Sequence, residues 1–271
     1  MPSPRAKKSL GQNFLKSQHV LNSIGNIASV GEGDSVLEIG PGKGALTREL
    51  LNRGAQVVAV ELDQRLLPLL QERFAQEISS GQLTLVHGDI LDENLKFPAS
   101  IREGEYHLVA NIPYYITNAI IRRFLEQGPR PRQMVLLVQK EVADRIVARD
   151  GKESLLSLSV KLFGKPRIRM RVPRRFFSPV PHVDSAILQI QSIRIPEEFS
   201  QEEFQDFFQL LRTGFAQKRK QVKKLLSGLH GSDAISLAFS ECKIPETARA
   251  ENLSLDQWKC IFSFLRRIEK K

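Results

Sequence analysis

Between residue 34 and about residue 140 the chain alternates short apolar runs with longer segments in which leucines recur three and four residues apart. The runs 35–40, 56–62, 83–88, 106–111 and 133–139 are short and rich in β-branched residues, which predicts strands. The intervening segments, 45–53 and 64–78 among them, carry the spacing of amphipathic helices. That order implies β-α-β units and a parallel sheet covered on both faces. Pro68 fits the second helix only if the helix starts close before it or kinks there. A helical pattern over 140–163 then leads to strands at 165–172 and 185–193. They are joined by a proline-rich segment, 173–181, with no helix between them, so they predict a hairpin and hence an antiparallel element on the parallel sheet. Beyond Ile195-Pro196, the stretches 200–211, 215–229, 234–240 and 255–268 all carry helical spacing, with Ser254 or Asp256 as the cap of the last. The expected fold is α/β over residues 1–195, with a small all-α domain over 196–271.

Composition narrows the class. Of 271 residues 41% are hydrophobic and 26% charged, the balance of a globular chain. No apolar run approaches the ~18 residues of a membrane-spanning helix, and the start of the chain shows no secretory pattern, so a cytoplasmic setting is expected. Cys242 and Cys260 stand outside any metal or redox spacing, and no disulfide is needed at this size in a reducing cytosol. The five histidines form no ligand pattern, so no metal is expected, and nothing in the sequence points to an obligate oligomer.

The net charge of +10 changes the picture more. Residues 1–31 contain Arg5, Lys7, Lys8 and Lys16 and no acid. Lys165, Arg167, Arg169 and Arg171 alternate with Pro166, Ile168, Met170 and Val172, a period of two that predicts four cations on one strand face. Lys218, Arg219, Lys220, Lys223 and Lys224 have helical spacing, and the flanking acids Asp206 and Asp233 are too distant in sequence to pair locally. One such run is ordinarily a solvated face. Three together predict a polyanionic partner, and nucleic acid above all.

Candidate chemistry sits at the ends of the strands. The first strand runs into Glu38-Ile-Gly40-Pro-Gly42-Lys-Gly44, where glycines allow a tight turn and close approach of a ligand. The spacing is G-x-G-x-G, and Ala45 stands where a dinucleotide fingerprint has its third glycine. Alone, the loop could be a plain turn. Glu61 then ends the second strand, where a carboxylate can accept both ribose hydroxyls, and Asp89, next to Ile90, ends the third, placed to meet an adenine amine. Asp63 and Asp92 read instead as caps of the segments that follow them.

The fourth strand ends in Asn111-Ile112-Pro113-Tyr114, which resembles the signature of amino-directed methyltransferases. An exocyclic amine is a poor nucleophile because its lone pair is delocalised into the ring. If Asn111 Oδ1 and the Ile112 carbonyl accept its two hydrogens, the lone pair can point at an electrophilic methyl. Pro113 stiffens the loop, and Tyr114 offers a stacking face worth ~1–3 kcal/mol. The competing reading is a strand ending in a proline turn with a buried tyrosine. In the loop 174–181 a phenylalanine could close the other side of a base, or anchor the loop in the core.

Taken together, 8–15, 38–47, 111–115, 139–142, 177–185 and 215–220 resemble the ribosomal RNA adenine dimethylases, most of all the bacterial small-subunit branch (the KsgA or RsmA family), over nearly the whole chain. The resemblance implies a Rossmann-like methyltransferase domain with a small helical domain. It implies S-adenosylmethionine as methyl donor and two adjacent adenosines near the 3′ end of small-subunit RNA as substrate, methylated late in 30S assembly. It also implies that Asn13 and Leu15 close over the cofactor, with Gly40 on the methionine part, Glu61 on the ribose and Asp89 on the adenine, and Glu38, Gly42 and Ile90 among the cofactor-binding residues. Asn111 would stand between cofactor and base, and Tyr114 and Phe177 would sandwich the target adenine. Tyr115 and His182 depart from residues common among relatives. Three alternatives stay open: a large-subunit methyltransferase of the antibiotic-resistance branch, a nicotinamide oxidoreductase, and a non-catalytic assembly factor.

Overall fold

The computed structural model describes Pro4, Lys7 and residues 10–269; Arg5 and Lys8 of the basic N-terminal segment lie outside the described residues. Among the described residues the first strand is β1 (Phe14–Leu15) and the first α-helix is α1 (Gln18–Ala28). The alternation of strands and helices follows as β2 (Ser35–Ile39), α2 (Ala45–Asn52), β3 (Gln56–Glu61), α3 (Leu67–Arg73), α4 (Ala75–Ser79) and β4 (Leu83–His87). Next come β5 (Tyr106–Asn111), α5 (Thr117–Arg122), β6 (Gln133–Gln139), α6 (Lys140–Val147) and α7 (Leu155–Phe163). The hairpin strand β7 (Lys165–Val172), the short β8 (Phe177–Ser178) and β9 (Ser185–Gln191) complete the strands. The last helices are α8 (Gln201–Phe215), α9 (Val222–His230), α10 (Ser232–Glu241) and α11 (Leu255–Glu269).

Seven strands form one sheet in the order β4-β3-β2-β5-β6-β9-β7. The first five are parallel, and β9 pairs antiparallel with both β6 and β7. From β2 the chain steps outward to β3 and β4, then returns to lay β5 on the other flank. Strand order therefore reverses at β2, the position where open α/β sheets leave a crevice beyond their carboxyl ends. The central strands are buried on both faces: Val36, Leu37, Ala59, Leu108, Val109 and Leu136 are all fully buried. This is why the sequence presents unbroken apolar runs there rather than alternation. Pro68 stands in the first turn of α3, where its missing N–H costs nothing.

The chain divides into two compact units that are not contiguous in sequence. Residues up to Ala143 together with Phe163–Arg194 make the first, and Asp144–Leu162 with Ile195–Lys271 make the second. Asp144–Leu162, expected in the first domain, thus groups with the C-terminal helices. The helix expected over 140–163 is broken between α6 and α7, where Ala148 and Gly151 take positive φ. Within the second unit, Phe207 stacks on Phe199 at 5.0 Å and meets Phe262 edge-on at 5.4 Å. Gly214 lies against the buried Trp258, so close that a Cβ would fall 2.2 Å from its ring. Cys242 and Cys260, expected as separate thiols, are joined in a disulfide between the end of α10 and α11. Among the described residues no helix is long and apolar enough to cross a membrane.

Candidate active site

The glycine loop after β2 is a set of left-handed turns. Gly40, Gly42 and Gly44 have φ of 66°, 59° and 79°, a region that L side chains rarely adopt. Gly44 packs on Phe74, which a Cβ would meet at 2.4 Å, whereas the space over Gly40 is open and belongs to the cleft. The loop is tied to β3 by the Gly40 N–H, which donates to the Val60 carbonyl at 2.9 Å. The Gly42 N–H donates to Glu61 Oε2 at 3.0 Å, and Glu61 Oε1 accepts the Asp63 N–H at 2.8 Å. Each Glu61 oxygen thus has one anchoring donor and keeps acceptor capacity for a ligand. Burial raises the Glu61 carboxyl above its ordinary range, against the pull of these amides.

Glu38 is more extreme. It is 1% exposed, and burial pushes it up to about 8, with repulsion from Glu61 adding to the rise. Neither Glu38 Oε2 nor the Thr47 hydroxyl has a hydrogen-bond partner. An orphaned acidic oxygen lining a cleft is a natural partner for a cationic ligand.

The N-terminal segment covers this loop. Phe14 and Leu15 pair antiparallel with Ser178 and Phe177, and the Lys16 N–H donates to the Phe176 carbonyl at 2.8 Å. Gln12 Nε2 donates to Asp63 Oδ2 at 2.9 Å. Asp63, held at about 2 chiefly by the Arg65 guanidinium, also caps the turn that follows it. The Phe14 ring lies over Gly42, 3.0 Å from where a Cβ would stand, and Lys43 Nζ sits 5.1 Å from its centroid.

Facing the glycine loop are the ends of β4 and β5. Asp89 is exposed and its Oδ1 accepts the Leu91 N–H at 2.8 Å, while Ile90 is buried. Asn111 is half-buried at the cleft, and its Nδ2 donates to the Asn13 carbonyl at 3.1 Å. That bond commits the nitrogen and leaves Oδ1 as an acceptor with no donor among the described residues. Tyr114 shares a hydrogen bond of 2.7 Å with Ser185, and burial raises its hydroxyl. Tyr115 is 62% exposed, with its ring against Gly11. The cleft has a volume of about 290 Å³, and Asn13, Leu15, Glu38, Gly40, Gly42, Glu61, Asp89, Ile90, Asn111, Ile112, Pro113 and Tyr114 all line it.

Phe177 does not join them. It is 1% exposed, packed in the core with Leu15, Val172 and Ile187, and only Ser178 of its strand reaches the cleft. Of the expected aromatic pair, Tyr114 lines the cleft and Phe177 does not. Sequence reasoning also missed α1, although Ser17 caps it and Val20, Leu21, Ile24 and Ala28 have core spacing. Gln12 and Ser185 were missed as partners as well. Both lie in the motifs that carry the resemblance, but nothing local reveals a partner 51 or 71 residues away.

The basic clusters are rearranged too. A bulge lies between Ile168 and Met170, so Ile168 pairs with Leu188 but Met170 with Ile187. One extra residue reverses the alternation. Lys165 and Arg167 share a face with Gln191 and Gln189, whereas Arg171 pairs with Ala186 on the opposite face, which overturns the single four-cation face. On an edge strand, lysine, proline and a bulge also discourage pairing with another chain. The helix expected over 215–229 starts only at Val222, so Lys218, Arg219 and Lys220 are exposed in the preceding turn. Lys223 is not free; its Nζ pairs with Glu246 at 2.6 Å.

A parallel sheet that reverses order at β2, a glycine loop with carboxylates at the next two strand ends, and an Asn-Ile-Pro-Tyr wall define a Rossmann-like methyltransferase. The family model described as Ribosomal RNA adenine dimethylase matches residues 4–267. Among relatives, the Ribosomal RNA small subunit methyltransferase A of Dehalococcoides mccartyi (strain CBDB1) is 45% identical, covering 94% of this chain and 87% of its own. The protein of the same name from Oceanobacillus iheyensis is 37% identical, covering 93% and 87%. Among solved structures, the 23S rRNA methyltransferase ErmE superposes with a TM-score of 0.77 at 27% identity, covering 94% of this chain and all of that one. A dimethyladenosine transferase from Plasmodium falciparum gives 0.75 at 26% identity, covering 94% and 98%. The chain belongs to the ribosomal RNA adenine dimethylase family. S-adenosylmethionine is the methyl donor of that family, which sets the nicotinamide reading aside.

Proposed function

We propose that this protein dimethylates N6 of two adjacent adenosines near the 3′ end of small-subunit ribosomal RNA, late in 30S assembly, and that it works as a monomer. The observation that carries this reading is the orientation of Asn111. Its nitrogen is held by the Asn13 carbonyl, which leaves its oxygen free to accept, and both Asn111 and Ile112 line the cleft. The residues present suit S-adenosylmethionine: an open glycine turn at Gly40, an orphaned acid at Glu38 for the cationic methionine end, acceptors on Glu61 for ribose hydroxyls and Asp89 for the adenine. When bound there, that molecule supplies a methyl group on a sulfonium, electrophilic enough to need no strong base.

The rest is positioning. Asn111 Oδ1 and the Ile112 carbonyl accept the two N–H groups of the target amine and draw it toward tetrahedral geometry. So held, the amine would keep its lone pair free toward the methyl group that a bound donor would supply, and its surplus proton would pass to water. Both acceptors are neutral, so an amine that already carries one methyl still offers them its remaining N–H. Tyr114 provides one stacking wall, with its hydroxyl fixed by Ser185. Phe177 contributes in this arrangement through the strand that clips the N-terminal segment, not as a second wall. Lys165, Arg167 and Arg169 of the edge strand, Arg171 on its other face, and Lys218, Arg219, Lys220 and Lys224 bind phosphates in this reading, with Lys223 weakened by Glu246. The relatives named for the small subunit favour that substrate over the large subunit. Methylating isolated 30S and 50S particles with labelled donor tests it: label confined to 30S RNA is expected, and label on 50S RNA contradicts the assignment.

A further inference from the structure

Arg123 lies just after α5, the helix that continues the Asn111–Tyr114 loop, in a single π-helical turn (Arg123–Gln127). It is 8% exposed, and among the described residues no carboxylate pairs with it. A buried cation without a counter-charge is costly, so its donors must be well used. Its Nη1 donates to the Ile90 carbonyl and, at 2.7 Å, to the Asp92 carbonyl. The guanidinium also sits 5.9 Å and 5.8 Å from the centroids of Phe97 and Phe124. For packing on two rings a methionine would serve as well; what arginine adds is an Nη1 whose two hydrogens reach both carbonyls.

Those carbonyls belong to the loop that starts at Asp89. Inside, the loop is stitched by Asp89 Oδ1 accepting the Leu91 N–H and by the Asp92 N–H donating to the Asp89 carbonyl at 3.0 Å. These bonds fix the turn's own shape and leave its placement to what it packs against and bonds to. Arg123 ties the far side of the loop to the turn after α5, and Gln127 Nε2 of that turn adds a bond of 3.2 Å to Glu93 Oε1 just beyond it. We propose that Arg123 is a positioning residue: it fixes the loop 89–92 so that Asp89 reads the cofactor's adenine, and sets that loop's distance from the Asn111–Tyr114 loop carried by its own helix. This rests on the reading above that Asp89 meets the adenine amine.

The test is a ligand preference. Equilibrium binding of S-adenosylhomocysteine and of its inosine counterpart, whose 6-oxo group faces Asp89 with no N–H, is measured by calorimetry on wild type, Arg123→Met and Arg123→Lys, alongside thermal midpoints. Wild type is expected to prefer the adenine ligand by about tenfold or more, the effect of one hydrogen bond to a charged acceptor. Arg123→Met should lose most of that preference, and Arg123→Lys, which keeps a donor, should retain part of it. If Arg123→Met does not fold, the lysine variant decides. A residue that only stabilises the fold would lower the midpoint and weaken both ligands alike, so an unchanged preference overturns the proposal while sparing the Asp89 reading. A wild type with no preference overturns the Asp89 reading, and this proposal with it.

Discussion

Two buried acids face the same cleft with different fates. Burial raises both, Glu38 to about 8, while the Asp63 and Gly42 amides pull Glu61 back and Glu38 has an oxygen with no such donor. Between its ordinary 4.5 and about 8, Glu38 holds a proton in the folded chain that the unfolded chain has released. Stability must therefore fall as pH rises through that window, and the loss is complete above it. Glu38→Gln removes this pH dependence, so the stability of wild type relative to the variant should decline from pH 5 to pH 8 in urea titrations. Parallel curves would show that Glu38 is ionised at neutral pH. The candidate residues themselves were readable, because ligand-type side chains at successive strand ends need only strand boundaries to be placed. Phe177 was not. A phenylalanine in a proline-framed loop is equally suited to a base or to the core, and its pairing with Leu15, 162 residues away, settles the matter.

At the scale of elements, the five parallel strands were legible because strands buried on both faces leave long β-branched runs. The errors fall where local pattern and tertiary demand part. Residues 217–221 are polar throughout and good helix formers, but they offer nothing to bury, and helix stability in a protein comes mostly from a packed face. The chain turns there instead. A strand bulge leaves the alternation of β7 looking perfect while reversing its faces. The last turn of α1 is closed by the sheet, since Gln133 Nε2 donates to the Ala28 carbonyl at 2.6 Å and Gln189 Nε2 to the Ile27 carbonyl at 2.9 Å. Gln189 also donates to Gln133 Oε1, and His107 shares a bond with Gln133. Gln133→Leu strands that network, and is expected to cost about 1–3 kcal/mol in denaturant titration. A change under about 0.5 kcal/mol would mean that water replaces the glutamine.

For the whole molecule, fold and family agree on a methyl-donor cleft, the sequence carries a net charge of +10, and each makes its own prediction. S-adenosylhomocysteine should raise the thermal midpoint, because it binds the folded chain alone, and NADH should not. Replacing Lys218, Arg219 and Lys220 together by alanine should reduce the dependence of RNA binding on salt, by about one in log-log slope for each phosphate no longer neutralised. The same change at Lys223, already paired with Glu246, should do less. The central claim remains that Asn111 and the Ile112 carbonyl hold the amine while the glycine loop holds the donor. Single-turnover methyl transfer to 30S particles by Asn111→Ala, with RNA binding measured in parallel, tests it most directly. Transfer should fall by about a hundredfold or more with binding nearly unchanged; turnover close to wild type would contradict the claim.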